Sequence, residues 1–70
     1  MNGKNRNYRS MQFMRAVNPL VSSGAITPAE AVVIVDKYKN NDDAFIRALL
    51  DQIDADENMK APIESFLTQD

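Results

Sequence analysis

Four consecutive residues, Thr27-Pro28-Ala29-Glu30, constrain this chain more than any other feature. A threonine at an N-cap accepts a hydrogen bond from the backbone two or three residues on. A glutamate three residues later reaches back to the cap N–H. Proline at the first helical position loses nothing, because its missing N–H would have had no helical partner. A helix therefore begins at Pro28 and is expected to run to about Lys39. Ile26 precedes the cap and is placed to pack on Ala31. Ala31, Ile34, Val35 and Tyr38 recur at i, i+3, i+4 and i+7, which is one face of a helix. Val32 and Val33 widen that face, so this helix is expected to be central. The β-branched run Val32 to Val35 also suits a strand; the cap and the periodic flanks select the helix.

An apolar helical face has to be covered, and 70 residues leave room for only a few more elements. Asn7 to Val17 suits a helix, with Tyr8, Met11, Met14 or Phe13, and Val17 at three- to four-residue spacing. Pro19 is expected to stop it at or before Asn18. Asn18 can cap a short turn that Gly24 ends in the left-handed conformation. Asn40-Asn41-Asp42-Asp43 is a turn and cap cluster, after which Ile46, Leu49, Leu50 and Ile53 repeat the helical stripe with Phe45 beside it. Asp54 to Lys60 is expected to be a loop or frayed extension. Pro62 can open a last helix carrying Ile63, Phe66 and Leu67. The fold class is all-α, a compact bundle of three to four short helices. The middle pair forms a hairpin on which the others pack. Residues 1–6 are expected to be a flexible basic N-terminus, and residues 7–70 a single small helical domain.

Composition narrows the chemistry. The chain has no Cys and no His. Disulfides, ordinary zinc sites and any Ser-His or Cys-His arrangement are excluded. Carboxylates, Lys, Tyr and hydroxyls remain, and they need a deep pocket to be tuned for catalysis. No enzyme activity and no cofactor or metal are expected. Leu, Ile, Val and Phe make up 17 of 70 residues. That share exceeds the roughly 20% below which disorder becomes the better reading. The longest apolar run, Ala31 to Val35, is far shorter than a membrane span. Met1 to Arg15 lacks the apolar core of a secretory signal. A cytoplasmic location is the default expectation.

Charge is uneven. Residues 1–19 hold Lys4, Arg6, Arg9 and Arg15 and no acid, whereas residues 42–70 hold eight acids against Arg47 and Lys60. The plain reading is a basic arm lying near the acidic half, in the same molecule or in a dimer mate. The sharper reading is a basic helix that meets phosphate or an acidic partner.

Two stretches resemble known families. Asp54-Ala55-Asp56-Glu57-Asn58 resembles the start of an EF-hand calcium loop. Met59 stands where that loop needs glycine, and Ser65 where it needs glutamate. The segment from Gly24 through Asn40-Asn41-Asp42-Asp43-Ala44 to Ala48-Leu49-Leu50 and Ile53 resembles the second half of ubiquitin-associated-type three-helix domains. Ala25 and Ile26 follow Gly24, so the Met-Gly-aromatic loop of that family is absent. The resemblance implies a similar small helical packing and not ubiquitin binding.

What remains is a non-catalytic small protein, a regulator, inhibitor or adaptor that binds a larger protein. Short unadorned chains of this kind are common among phage and bacterial accessory proteins. The candidate partner-binding residues are Arg6, Tyr8, Arg9, Met11, Phe13, Met14 and Arg15. Basic, aromatic and methionine side chains on one amphipathic helix form an adaptable docking surface. The acidic segment 51–57 is the competing surface. Two alternatives are a nucleic-acid-associated protein using the basic helix, which the acidic balance disfavours, and a homodimer or larger self-assembling scaffold. A membrane partner is not expected.

Overall fold

Four helices follow one another in a computed structural model that describes residues 2–68, with side chains described for Arg6 and residues 8–68. They are α1 (Asn2–Ser22), α2 (Pro28–Lys39), α3 (Asp43–Gln52) and α4 (Glu57–Thr68). No strand occurs among the described residues. The all-α bundle is the expected fold class. The radius of gyration is 11.0 Å and the extents are 34 × 19 × 17 Å. The long axis is set by α1, whose 21 residues span roughly 31 Å at about 1.5 Å each.

The helices close a ring. α1 lies beside α2 and α4, and α3 lies beside α2 and α4. The most extensive pairing is α1 with α2, so the pivot is the α1–α2 hairpin and not the expected α2–α3 pair.

α1 corrects three expectations. It begins at Asn2, so the segment expected to be a flexible arm is helical from there, with Arg6 buried. It also passes through Pro19 and ends at Ser22. Proline removes one backbone bond, but stopping there would expose Leu20, which is fully buried with Val17 and Phe13. Burial outweighs the missing bond. The third correction is phase. The inward seam is Arg6, Ser10, Phe13, Val17 and Leu20, whereas Tyr8 and Met11 point outward.

The turns are specified locally. After α1, Gly24 has φ +85°, its N–H donates to Val21 O at 3.0 Å, and Ala25 N–H donates to Leu20 O at 2.9 Å. This is a Schellman closure, for which glycine carries no Cβ strain. The same closure ends α2 around Asn41, with φ 62°. Its N–H donates to Tyr38 O at 3.2 Å, and that of Asp42 to Lys37 O at 2.9 Å. Asp42 then caps α3 by accepting from Phe45 N at 3.4 Å. The expected capping box is present. Glu30 N donates to Thr27 Oγ1 at 3.1 Å and Thr27 N to Glu30 Oε1 at 2.8 Å.

The stripe of α2 is buried as expected, but Val32 and Val33 are exposed, so α2 is apolar on one face only. α4 starts at Glu57, five residues before Pro62. The carbonyl of Asp56 accepts from Met59 and Lys60 and opens that helix, so Pro62 lies inside it and does not start it. Helical backbone from Glu57 onward is also not the path of a calcium loop, which winds around its ion.

Candidate functional site

The seven candidate residues share α1, and its helical phase divides them into two groups. Arg6, Arg9 and Phe13 are turned toward the bundle. Tyr8, Met11, Met14 and Arg15 are turned to its outer face or edge.

The inward group builds a corner. Arg6 is 1% exposed. Its guanidinium donates to both carboxylate oxygens of Asp43, at 2.6 and 3.0 Å, and to the carbonyl of Tyr38 at 3.2 Å. That carbonyl belongs to the last turn of α2, where the helix dipole favours a cation, and Asp43 is in the first turn of α3, where it favours an anion. One arginine thus ties α1 to the α2–α3 turn. The hydrogen bonds from Arg6 hold the Asp43 carboxyl below its ordinary range; the charges of Arg6 and Arg47 add to this and partial burial opposes it. This ion pair joins the basic end of the chain to its acidic half within one molecule.

Phe13 is fully buried and stacks on Tyr38, with ring centroids 4.2 Å apart and planes 6° from parallel. Phe66 meets Phe13 edge-on at 5.5 Å. Three rings from α1, α2 and α4 therefore meet at one point. Arg6 lies 4.6 Å from the Tyr38 centroid and Arg9 lies 5.2 Å from that of Phe66. These contacts are worth about 0.5–2 kcal/mol each in general. Arg6 and Phe13 are thus structural, and neither is open to a partner.

The outward group joins residues that the sequence did not single out. Ser10, Met11, Met14 and Arg15 of α1 line a groove of about 390 Å³ together with Val35 and Lys39 of α2. Met11 is 71% exposed and Tyr8 is 81% exposed. Tyr8 lies three residues before Met11 and seven before Arg15, on the same side of α1. Val32, 61% exposed, lies three residues before Val35 and extends the α2 wall. No local signal marks Val35 or Lys39 as partners of α1; the antiparallel packing of α1 on α2 places them there. Among the described residues, neither Arg15 nor Lys39 has an ion-pair partner.

Other surfaces are more self-contained. Val33 of α2 and Phe45 of α3 are also exposed, though less than Tyr8, Met11 and Val32. Lys37 lies 5.0 Å from the Phe45 centroid and 3.9 Å from Asp42. A second cavity, of about 550 Å³, lies between the α1–α2 and α3–α4 loops and includes Gly24, Asp54, Asp56 and Met59. Among the described residues, no three acidic or other ligating side chains come together to hold a metal ion. No described helix is long and apolar enough to cross a membrane.

No known protein family, curated protein or solved structure matches this chain.

Proposed function

We propose that this protein is a non-catalytic regulator or adaptor that docks onto a larger protein through the outer face of α1 and the adjoining edge of α2. One observation carries the reading. Met11, in the wall of the groove, is a large apolar side chain left mostly in water, and the likewise exposed Tyr8 and Val32 lie one helical turn from the lining residues Met11 and Val35. Large apolar side chains exposed beside a groove mark interaction sites. The two methionines suit the role, since an unbranched thioether adapts to the shape of what it meets.

The nucleic-acid alternative has less support. It requires Arg6, Arg9 and Arg15, interleaved with Tyr8 and Phe13, to face a strand of nucleic acid. Arg6 is engaged by Asp43, Arg9 lies against Phe66, and Phe13 offers no face for a base to stack on.

The test is co-purification of the tagged protein with partners from its host, comparing wild type with Met11→Asp and with Val33→Asp as a control outside the groove. The expected result is a stoichiometric partner retained by wild type and Val33→Asp and lost with Met11→Asp, the circular dichroism being unchanged. Retention by Met11→Asp with loss by Val33→Asp would move the working surface to α2 and α3.

A further inference from the structure

We infer that the α1–α2 groove accepts an amphipathic helix of a partner protein whose flanks are acidic. The inference rests on the docking reading above and adds the conformation and charge of the occupant.

The conformation follows from the backbone of the site. An extended peptide adds to a sheet edge, which the described residues do not offer, or docks as polyproline in an aromatic-lined groove, whereas no aromatic side chain lines this one. A helix satisfies its own backbone and brings only side chains. Two adjacent helices present ridges with a groove between them, the shape into which the ridge of a third helix packs. Met11, Met14 and Val35 then meet apolar residues at i, i+3, i+4 and i+7 of the incoming helix.

The charge follows from the rim. Arg15 and Lys39 line the groove and neither is paired among the described residues; no carboxylate lines it, the nearest on α2 being exposed Asp36, outside the lining and one turn from Lys39. Carboxylates flanking an apolar stripe complement that rim. A second copy fits less well in either arrangement. Face to face, two sets of Arg15 and Lys39 oppose each other. Head to tail, α4 brings acids such as Glu57 and Glu64 but no large exposed apolar side chain to fill the groove, and the exposed Val33 and Phe45 bring the cation Lys37 with them, 5.0 Å from the Phe45 centroid.

The test titrates the full chain, carrying methyl-labelled methionine, with two synthetic peptides of about 18 residues. They share one leucine stripe at helical spacing; one carries Glu on its flanks and the other Lys. The Glu peptide is expected to shift the Met11 and Met14 methyl signals and leave Met59, at the other cavity, unmoved. Its affinity should weaken severalfold on going from low to high salt. The double variant R15E/K39E should lose at least tenfold in affinity for the Glu peptide and gain the Lys peptide.

Equal binding of both peptides, shifts centred on Met59, or no shift at about 1 mM of either peptide would overturn the inference. So would a concentration-dependent dimer whose formation moves Met11 and Met14, which would assign the groove to a second copy. A failed titration with a partner still captured in a Met11-dependent way removes the acidic helix and leaves the docking face standing. Failure of both removes both.

Discussion

Arg6 and Arg15 stand nine residues apart on one helix and have opposite fates. Arg6 is nine parts in ten or more buried, paired with a carboxylate and laid against an aromatic ring. Arg15 is exposed beside two methionines, with no ion-pair partner among the described residues. Their neighbours differ in the same way: Phe13 is inside three-ring packing, and Met11 is in water. Residue type does not separate the two settings. Helical phase does, and phase is set by what α2 and α4 cover. The inner corner is built for stability and the outer face for contact, and substitutions should tell them apart.

The largest effect is expected at Phe13. Phe13→Ala removes the ring that stacks on Tyr38 and meets Phe66, and such truncations cost about 3–5 kcal/mol. Small domains have about 5 kcal/mol to lose. Thermal denaturation followed by circular dichroism should lose its cooperative transition near room temperature, whereas Phe13→Leu should keep it at a reduced midpoint. A Phe13→Ala protein with near wild-type stability would show that the three-ring contact does not hold the bundle.

Arg6 comes next. Arg6→Ala leaves Asp43 without its guanidinium and Tyr38 O without one donor. The expected cost is about 3 kcal/mol, at the low end for breaking a buried pair because Asp43 can rehydrate. Arg6→Met restores packing without charge and should recover part of that loss in urea denaturation. Equal costs for the two variants would mean that the charge, and not the bulk, is what the corner requires.

The same pair gives a pH signature. The Asp43 carboxyl is lowered in the folded state, so the unfolded chain takes up the proton first as pH falls. The contribution of the pair is full above about pH 4 and is lost as pH falls through the lowered folded value. Asp43→Asn should therefore flatten the acid limb of the stability–pH curve measured between about pH 2 and 5. A limb as steep as that of wild type would place the acid sensitivity elsewhere.

Thr27→Ala tests a purely local device. It removes the oxygen that accepts from Glu30 N and should cost about 1 kcal/mol. That device was readable in advance because its partners lie within four residues. The same holds for Gly24, for a cap at Asn41 or Asp42, of which the structure uses Asp42, and for the α2 stripe. What was not readable depended on distant residues. Pro19 reads as a stop until Leu20 is seen to be fully buried, and Pro62 reads as a start until Asp56 is seen to open α4. The spacing of Phe13, Val17 and Leu20 held the correct phase of α1, yet Tyr8, Met11 and Met14 offered a rival stripe on the same helix. Only the packing decides between them. Half of the candidate site was therefore visible, as Met11, Met14 and Arg15, and the other wall, Val35 and Lys39, was not.

The smallest stability effect belongs to the outer face and is the sharpest use of the contrast. Met11→Ser replaces a side chain that is already in water, so the unfolding free energy should stay within about 0.5 kcal/mol of wild type. Capture of the partner should fall in the same variant. Phe13→Leu should behave oppositely, losing stability while the folded fraction still binds. If Met11→Ser instead unfolds the bundle, the side chain supports the α1–α2 pairing and the groove is a seam of the core. If it changes neither stability nor capture, the exposed methionine is bystander surface, and Tyr8 and Val32 are left to define the face.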